Sequence, residues 1–260
     1  MDPKVRFDDG AAYERMMGVW SRLAGGIFLD WLALPRALRC IDIGCGNGAF
    51  TELFIERCAP TEIHGIDPSP AQLDFARSRP GARLAQFRQG DAMALPFADN
   101  SFDVATMALV IFFVPEPEKG VAEMARVVRP GGTVAAYAWE MPAGFPLEPI
   151  FEELRAVGKK NLGPPHPEAS HAHVLRALWA GAGIQQVDLR QIAVERTFAN
   201  FDEFWTVSTA SGALKPTLAA MKAADVEAMK RRLRAKLPAD AAGRITCRAF
   251  ANAIKGRVPD

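Results

Sequence analysis

Cys40-Ile41-Asp42-Ile43-Gly44-Cys45-Gly46-Asn47-Gly48-Ala49-Phe50 is the stretch that decides the fold. Apolar residues run into an acid, then into three glycines at every second position, then into the start of an expected helix. Glycine has no Cβ, so the backbone there can turn sharply and lie directly against a ligand. Open α/β sheets bind their ligands at such loops, beyond the carboxyl ends of the strands.

Downstream the same unit repeats. A strand over about 39–43 is followed by a helix over about 48–58, a strand at Thr61–Ile66 and a helix starting at Ser69-Pro70. Serine suits an N-cap and proline the first helical position. A weaker strand is expected near 83–89 and a strongly apolar one near 104–109, whose uniformity suits a central parallel strand covered on both faces. A helix with Val121, Met124, Ala125 and Val128 on one stripe follows, and then a fifth strand at Thr133–Trp139 after Arg129-Pro130-Gly131-Gly132. Strand and helix in alternation predict a Rossmann-like, doubly wound α/β sheet. Beyond it we expect a helix from His171 capped by Ser170, a strand over 184–194, mostly helix over 200–236 and a last strand over 245–254.

Upstream, residues 1–10 are polar and expected to fray, while 11–33 carry apolar residues at helical steps. Gly25-Gly26 is expected to break that segment into two helices. It either packs as an amphipathic helix or closes as a lid over a pocket. Residues 1–34 therefore read as an N-terminal helical lid, 35–140 as a cofactor-binding core, and 141–260 as the rest of the same domain with substrate-covering insertions.

The whole chain sets limits. Its 260 residues carry a net charge of +1, which argues for no nucleic-acid partner. The first twenty residues have no apolar core of a signal peptide, and the apolar run Ala105–Val114 is too short to cross a bilayer. A cytoplasmic protein is expected. Cys40, Cys45, Cys58 and Cys247 lack metal-ligand spacing, so free thiols and no metal site are expected. His64, His166, His171 and His173 form no cluster.

Gly44-x-Gly46-x-x-Ala49 with Asp67 some twenty residues on also fits the dinucleotide fingerprint. An ionised carboxylate at Asp67 can accept from both hydroxyls of a ribose, or it can make a local turn before Pro68. Three features separate a dinucleotide from another cofactor. Asp42 lies two residues before Gly44, where a carboxylate suits a cationic ligand and repels a pyrophosphate. Gly90-Asp91-Ala92 follows the third strand, where an acid can accept from an adenine amino group. Phe97–Asp103 and Arg129-Pro130-Gly131-Gly132 bracket the fourth strand and its helix.

Together, Ile41–Gly48, Gly65–Ser69, Gly90–Phe97, Asn100–Asp103 and Val128–Gly132 resemble the class I S-adenosylmethionine-dependent methyltransferases, in particular the branch of ubiquinone/menaquinone C-methyltransferases and small-molecule methyltransferases. The resemblance implies a seven-stranded sheet, mostly parallel, with its last strand antiparallel. It implies S-adenosylmethionine as cofactor, with Asp42 near its methionine end and Gly44, Cys45 and Gly46 beneath it. Asp67 would meet the ribose, Pro68 and Gln72 the adenosine, Asp91 and Ala92 the adenine, and Met107 the methionine part. Arg22 or Tyr13 could bind the carboxylate.

Transfer from a sulfonium is an in-line displacement, and the protein mainly aligns the reactants and excludes water. Val110–Val114 is wholly apolar where relatives carry polar groups, so no general base stands out and no catalytic residue is assigned. Tyr13, Trp20, Phe112 and Phe113 are candidates for the substrate pocket, and Phe145, Phe201, Phe204 and Trp205 could extend it. The expected function is methyl transfer to a small-molecule acceptor. A nicotinamide-dependent oxidoreductase and a non-catalytic cofactor-binding module are the alternatives.

Overall fold

The computed structural model describes residues 14–159, 163–210, 212 and 214–260. Residues 1–10 and Tyr13 lie outside them. Among the described residues seven strands form one sheet: β1 (Arg39–Ile43), β2 (Glu62–Asp67), β3 (Ala85–Gln89), β4 (Phe102–Ala108), β5 (Val128–Trp139), β6 (Gln185–Phe198) and β7 (Ile245–Arg257). Their order is β3-β2-β1-β4-β5-β7-β6. Strands β1 to β5 pair in parallel, and β7 runs antiparallel to both β5 and β6. The sheet is the one the resemblance implies, with β7 inserted between β5 and β6.

Burial follows position in the sheet. β4 and the second half of β5 are almost wholly buried, whereas β3 at one edge is mostly open. Helices α1 (Val19–Leu32), α2 (Ala49–Cys58), α3 (Pro70–Ser78) and α4 (Pro117–Val127) belong to the first part of the chain. Helices α5 (Glu148–Ala156), α6 (Ala172–Gly181), α7 (Phe201–Ser208), α8 (Leu214–Ala219) and α9 (Ala223–Lys236) follow. Residues beyond 140 supply β6 and β7, so they complete the same sheet.

Several expectations change. α1 is continuous through Gly25-Gly26, after a π-type turn at Glu14–Gly18. A Cβ on Gly25 would lie 3.1 Å from both Leu53 and Phe50 and 3.2 Å from the Tyr137 hydroxyl. That glycine therefore serves close packing of α1 on the core, and packing outweighs its weak helix propensity. α6 begins at Ala172 without a Ser170 cap. The Ser170 hydroxyl instead donates to the Pro167 carbonyl (2.6 Å) and accepts from the Met141 N–H (3.0 Å). β5 starts at Val128, so the Pro-Gly-Gly stretch lies inside the strand, with Gly131 at φ +69° and an irregular register opposite Phe102–Val104. β6 and β7 also run on past their expected ends, to Phe198 and Arg257.

The sheet positions the site by its order. The chain winds from β1 outward to β3, then returns to place β4 on the other side of β1. The loops after β1 and β4 diverge at that switch point and leave a crevice. Register lines the strand ends up along it: Ile43 pairs with Ile66, and Ala108 with Tyr137.

Candidate functional site

A cavity of about 500 Å³ opens at this crevice. The loop after β1 contributes Gly44 to Asn47, the end of β2 contributes Asp67 to Ser69, and the end of β3 contributes Gly90 to Ala92. The far wall is Leu109, Val110, Phe113, Val114 and Pro115 from the segment after β4. Ser21 of α1 and Tyr137 of β5 complete it.

The glycine loop is held from beneath. The N–H groups of Gly44 and Cys45 both donate to the Ile66 carbonyl, at 2.7 and 3.0 Å. Gly46 N–H donates to Asp67 Oδ2 at 2.9 Å. These amides are thus engaged inside the protein, and the loop meets the cavity with its remaining backbone surface. Gly44 sits at φ +72°, and any Cβ there would collide with Val110. Gly46 sits at φ +52°, and a Cβ there would meet nothing within 4 Å. The first glycine makes room for the opposite wall; the second leaves the space above the loop empty for a ligand.

Asp67 makes the local turn and faces the cavity. Its Oδ1 accepts from Ser69 N–H at 2.9 Å and its Oδ2 from Gly46, so each oxygen keeps a further lone pair. Ser69 then caps α3, accepting from Gln72 N–H, with Pro70 at the first position. Burial raises the Asp67 pKa, and the Ser69 and Gly46 N–H groups hold that rise back. Asp91 is exposed at the rim, where its Oδ1 accepts from Met93 N–H at 2.9 Å. Cys45 is on the wall, and burial, then the nearby Asp42 and Asp67 charges, push its thiol well above the usual range. It stays protonated at neutral pH and supplies no thiolate nucleophile.

Gly44, Cys45, Gly46, Asp67, Pro68, Gln72, Asp91, Ala92 and Phe113 are brought together here. Asp42, Met107, Arg22, Trp20 and Phe112 are not on the wall. Asp42 is fully buried beside β1, where Oδ2 accepts from the Thr51 hydroxyl at 2.6 Å and Oδ1 has no partner. Its pKa is pushed up to about 7, mainly by burial, with the Asp67 charge adding to the rise and the Thr51 bond opposing it. Met107 and Trp20 are core residues, and Phe112 is buried while its neighbour Phe113 faces the cavity. Arg22 pairs with Glu56 at 2.7 Å on the surface. Phe145, Phe201, Phe204 and Trp205 pack elsewhere against the core. None of the four histidines lines the cavity; His64 packs edge-on to Phe97 and Phe102, and His171 Nε2 lies 2.8 Å from the Met141 carbonyl.

Sequence reasoning missed Asn47, Ser21, Leu109 and Tyr137. Tyr137 could have been found from strand register, as the one hydroxyl in the apolar run Val134–Trp139. Its hydroxyl donates to the Ser21 carbonyl at 3.3 Å. Leu109 has φ +63°, and nothing in its residue type signals that turn. Two aspartates, Asp67 and Asp91, are on the wall; no lysine, arginine or histidine faces the cavity among the described residues.

A family model described as a methyltransferase domain matches residues 41–136. Residues 41–136 form a methyltransferase domain. A ubiquinone/menaquinone biosynthesis C-methyltransferase of Dinoroseobacter shibae is 39% identical over 121 residues, covering 45% of this chain and 48% of the relative. A demethylmenaquinone methyltransferase of Renibacterium salmoninarum is 32% identical over 164 residues, covering 61% of this chain and 65% of the relative. The chain thus spans about half of the first and under two thirds of the second. The solved phosphoethanolamine N-methyltransferase 2 of Haemonchus contortus, in complex with phosphomonomethylethanolamine and S-adenosylhomocysteine, shares the fold (TM-score 0.62, 17% identity). The superposition covers 98% of this chain and 58% of that one.

The cavity of the methyltransferase domain fits the cofactor of that family. It offers carboxylates at the ends of β2 and β3, open space above Gly46 and, among the described residues, no cation for a pyrophosphate.

Proposed function

We propose that the protein transfers a methyl group from S-adenosylmethionine to a small-molecule acceptor by in-line displacement. The observation that carries this is a cavity with acidic residues and, among the described residues, no facing cation, at the switch point of a methyltransferase domain. Bound there, the cofactor supplies an activated methyl group. Asp67 accepts from the ribose hydroxyls through its free lone pairs. Pro68 and Gln72 flank the adenosine, and Asp91 with the Ala92 N–H reads the adenine. Gly44, Cys45 and Gly46 form the floor. The proposal leaves Arg22 and Met107 out of the direct contacts and gives Asp42 an electrostatic part from below the loop.

The wall from Leu109 to Pro115 excludes water and orients the acceptor, with Phe113 rather than Phe112 as its aromatic face. Tyr137 is the neutral hydroxyl at that end. Among the described residues no histidine, lysine or glutamate lines the cavity, which favours an acceptor whose nucleophile needs no enzyme base. Among the described residues none of 141–260 lines the cavity, so the substrate-covering insertions expected there have no part in the proposed site; the cytoplasmic location expected from the sequence belongs to the same proposal, testable by cell fractionation.

Titration decides the cofactor. S-adenosylhomocysteine is expected to bind and NADH to give no heat or fluorescence change; the reverse result overturns the proposal. Transfer of labelled methyl from S-adenosylmethionine into a metabolite extract then separates an enzyme from a binding module. An extract that yields no labelled product leaves only the module.

A further inference from the structure

Glu14 opens the π-type turn at Glu14–Gly18, and its carboxylate is turned toward the cofactor loop. Its Oε2 accepts from Arg79 Nη2 and, at 3.0 Å, from Asn47 Nδ2. The turn is built for this. A Cβ on Gly18 would lie 2.7 Å from the Glu14 carboxyl carbon, so the glycine leaves that carboxylate its place. π-type turns concentrate at functional sites.

Arg79, just past the end of α3, is the centre of the cluster. Its side chain is 11% exposed. Besides Glu14 it donates Nε to the Asn47 carbonyl at 2.6 Å and Nη1 to Glu52 Oε2 at 3.0 Å. One cation thus serves two carboxylates and a loop carbonyl. Asn47 is itself on the cavity wall, 3% exposed, and its Oδ1 accepts from Ala49 N–H at the start of α2. The side chain of Asn47 is thereby fixed at both ends, and its carbonyl as well.

The turn is also held from the opposite side. Arg196 of β6 donates to the carbonyls of Arg15 (3.2 Å) and Met16 (3.0 Å). α1, which continues from the turn, brings Ser21 to the cavity. Neither Glu14 nor Arg79 touches the cavity, and both reach it through Asn47.

We propose that Glu14 and Arg79 are positioning residues: they clasp the N-terminal turn and α1 onto the cofactor loop, so that release of the cofactor requires the clasp to open. This rests on the cofactor proposed above. Charge-assisted bonds to a half-buried arginine are strong enough to control such an opening.

The test is the dissociation rate of S-adenosylhomocysteine from wild type, Glu14→Gln and Arg79→Gln, measured by stopped flow. Glu14→Gln is expected to raise that rate about tenfold, and Arg79→Gln at least as much because Glu14 and Glu52 then face each other uncompensated. Raising the salt should speed release from wild type and speed it less in Glu14→Gln, because one of the two carboxylates on Arg79 is gone. A purely structural loss would not reduce the salt dependence. Glu14→Gln lies at the edge of the fold and remains testable should Arg79→Gln not fold. A folded Glu14→Gln that releases the ligand at the wild-type rate overturns the clasp alone. A wild-type protein that binds no S-adenosylhomocysteine overturns the clasp and the cofactor together.

Discussion

Asp67→Ala is expected to weaken S-adenosylhomocysteine binding by about 1.5–3 kcal/mol, roughly 10- to 150-fold, as for a lost charge-assisted acceptor. Asp67 does two jobs at once. It ties Gly46 and Ser69 into the turn through one bond on each oxygen, and it offers the remaining lone pairs to the cavity. Alanine removes both. Asp67→Asn separates them, because one amide oxygen still accepts from the turn while the nitrogen cannot accept at all. Its affinity should fall between those of wild type and Asp67→Ala. Calorimetric titration of the three proteins measures the order, and an unchanged constant for Asp67→Ala would falsify its role at the ribose.

The second large effect concerns Asp42 and pH. Its carboxyl titrates at about 7 in the folded protein because it is buried with one oxygen unpaired. In the unfolded chain it titrates near the ordinary aspartate value of about 3.9. Between those values the folded state holds a proton that the unfolded state has lost. Stability therefore falls as pH rises through about 4 to 7 and levels off above. A shift of about three units corresponds to an upper bound of about 4 kcal/mol at 1.36 kcal/mol per unit. Asp42→Asn keeps an acceptor for Thr51 and carries no charge, so it should lose this slope and be more stable than wild type at pH 8. Denaturant midpoints at pH 5 and pH 8 for both proteins are the measurement. Parallel pH dependence in the two would remove Asp42 as its source.

These residues also mark what the chain reveals before it folds. Asp67 was legible because a strand, an acid and a proline-started helix leave it one place, at the sheet's carboxyl edge. Asp42 was legible as an acid beside the glycines, but its direction was not. On β1 alternate residues point to opposite faces, and only the position of Thr51 on α2 shows that Asp42 points away from the cavity. Phe112 and Phe113 are neighbours in a tight 3₁₀ turn, where successive side chains diverge by about 120°. One must turn inward, and composition cannot say which. Gly25-Gly26 looked like a break because propensity is local, whereas the close approach of α1 to Tyr137 is tertiary. Asn47 and Tyr137 were missed for the same reason: each gains its role from a partner more than thirty residues away.

The acidic wall has a consequence for the direction of turnover. S-adenosylmethionine carries one more positive charge than the homocysteine product, at nearly the same shape. A cavity whose charged side chains are Asp67 and Asp91 distinguishes the two by that charge alone. On the proposed function, the site is expected to hold the loaded cofactor more tightly than the spent one. The ratio of the two dissociation constants should shrink as salt screens the carboxylates; a ratio indifferent to salt would assign the preference to shape instead.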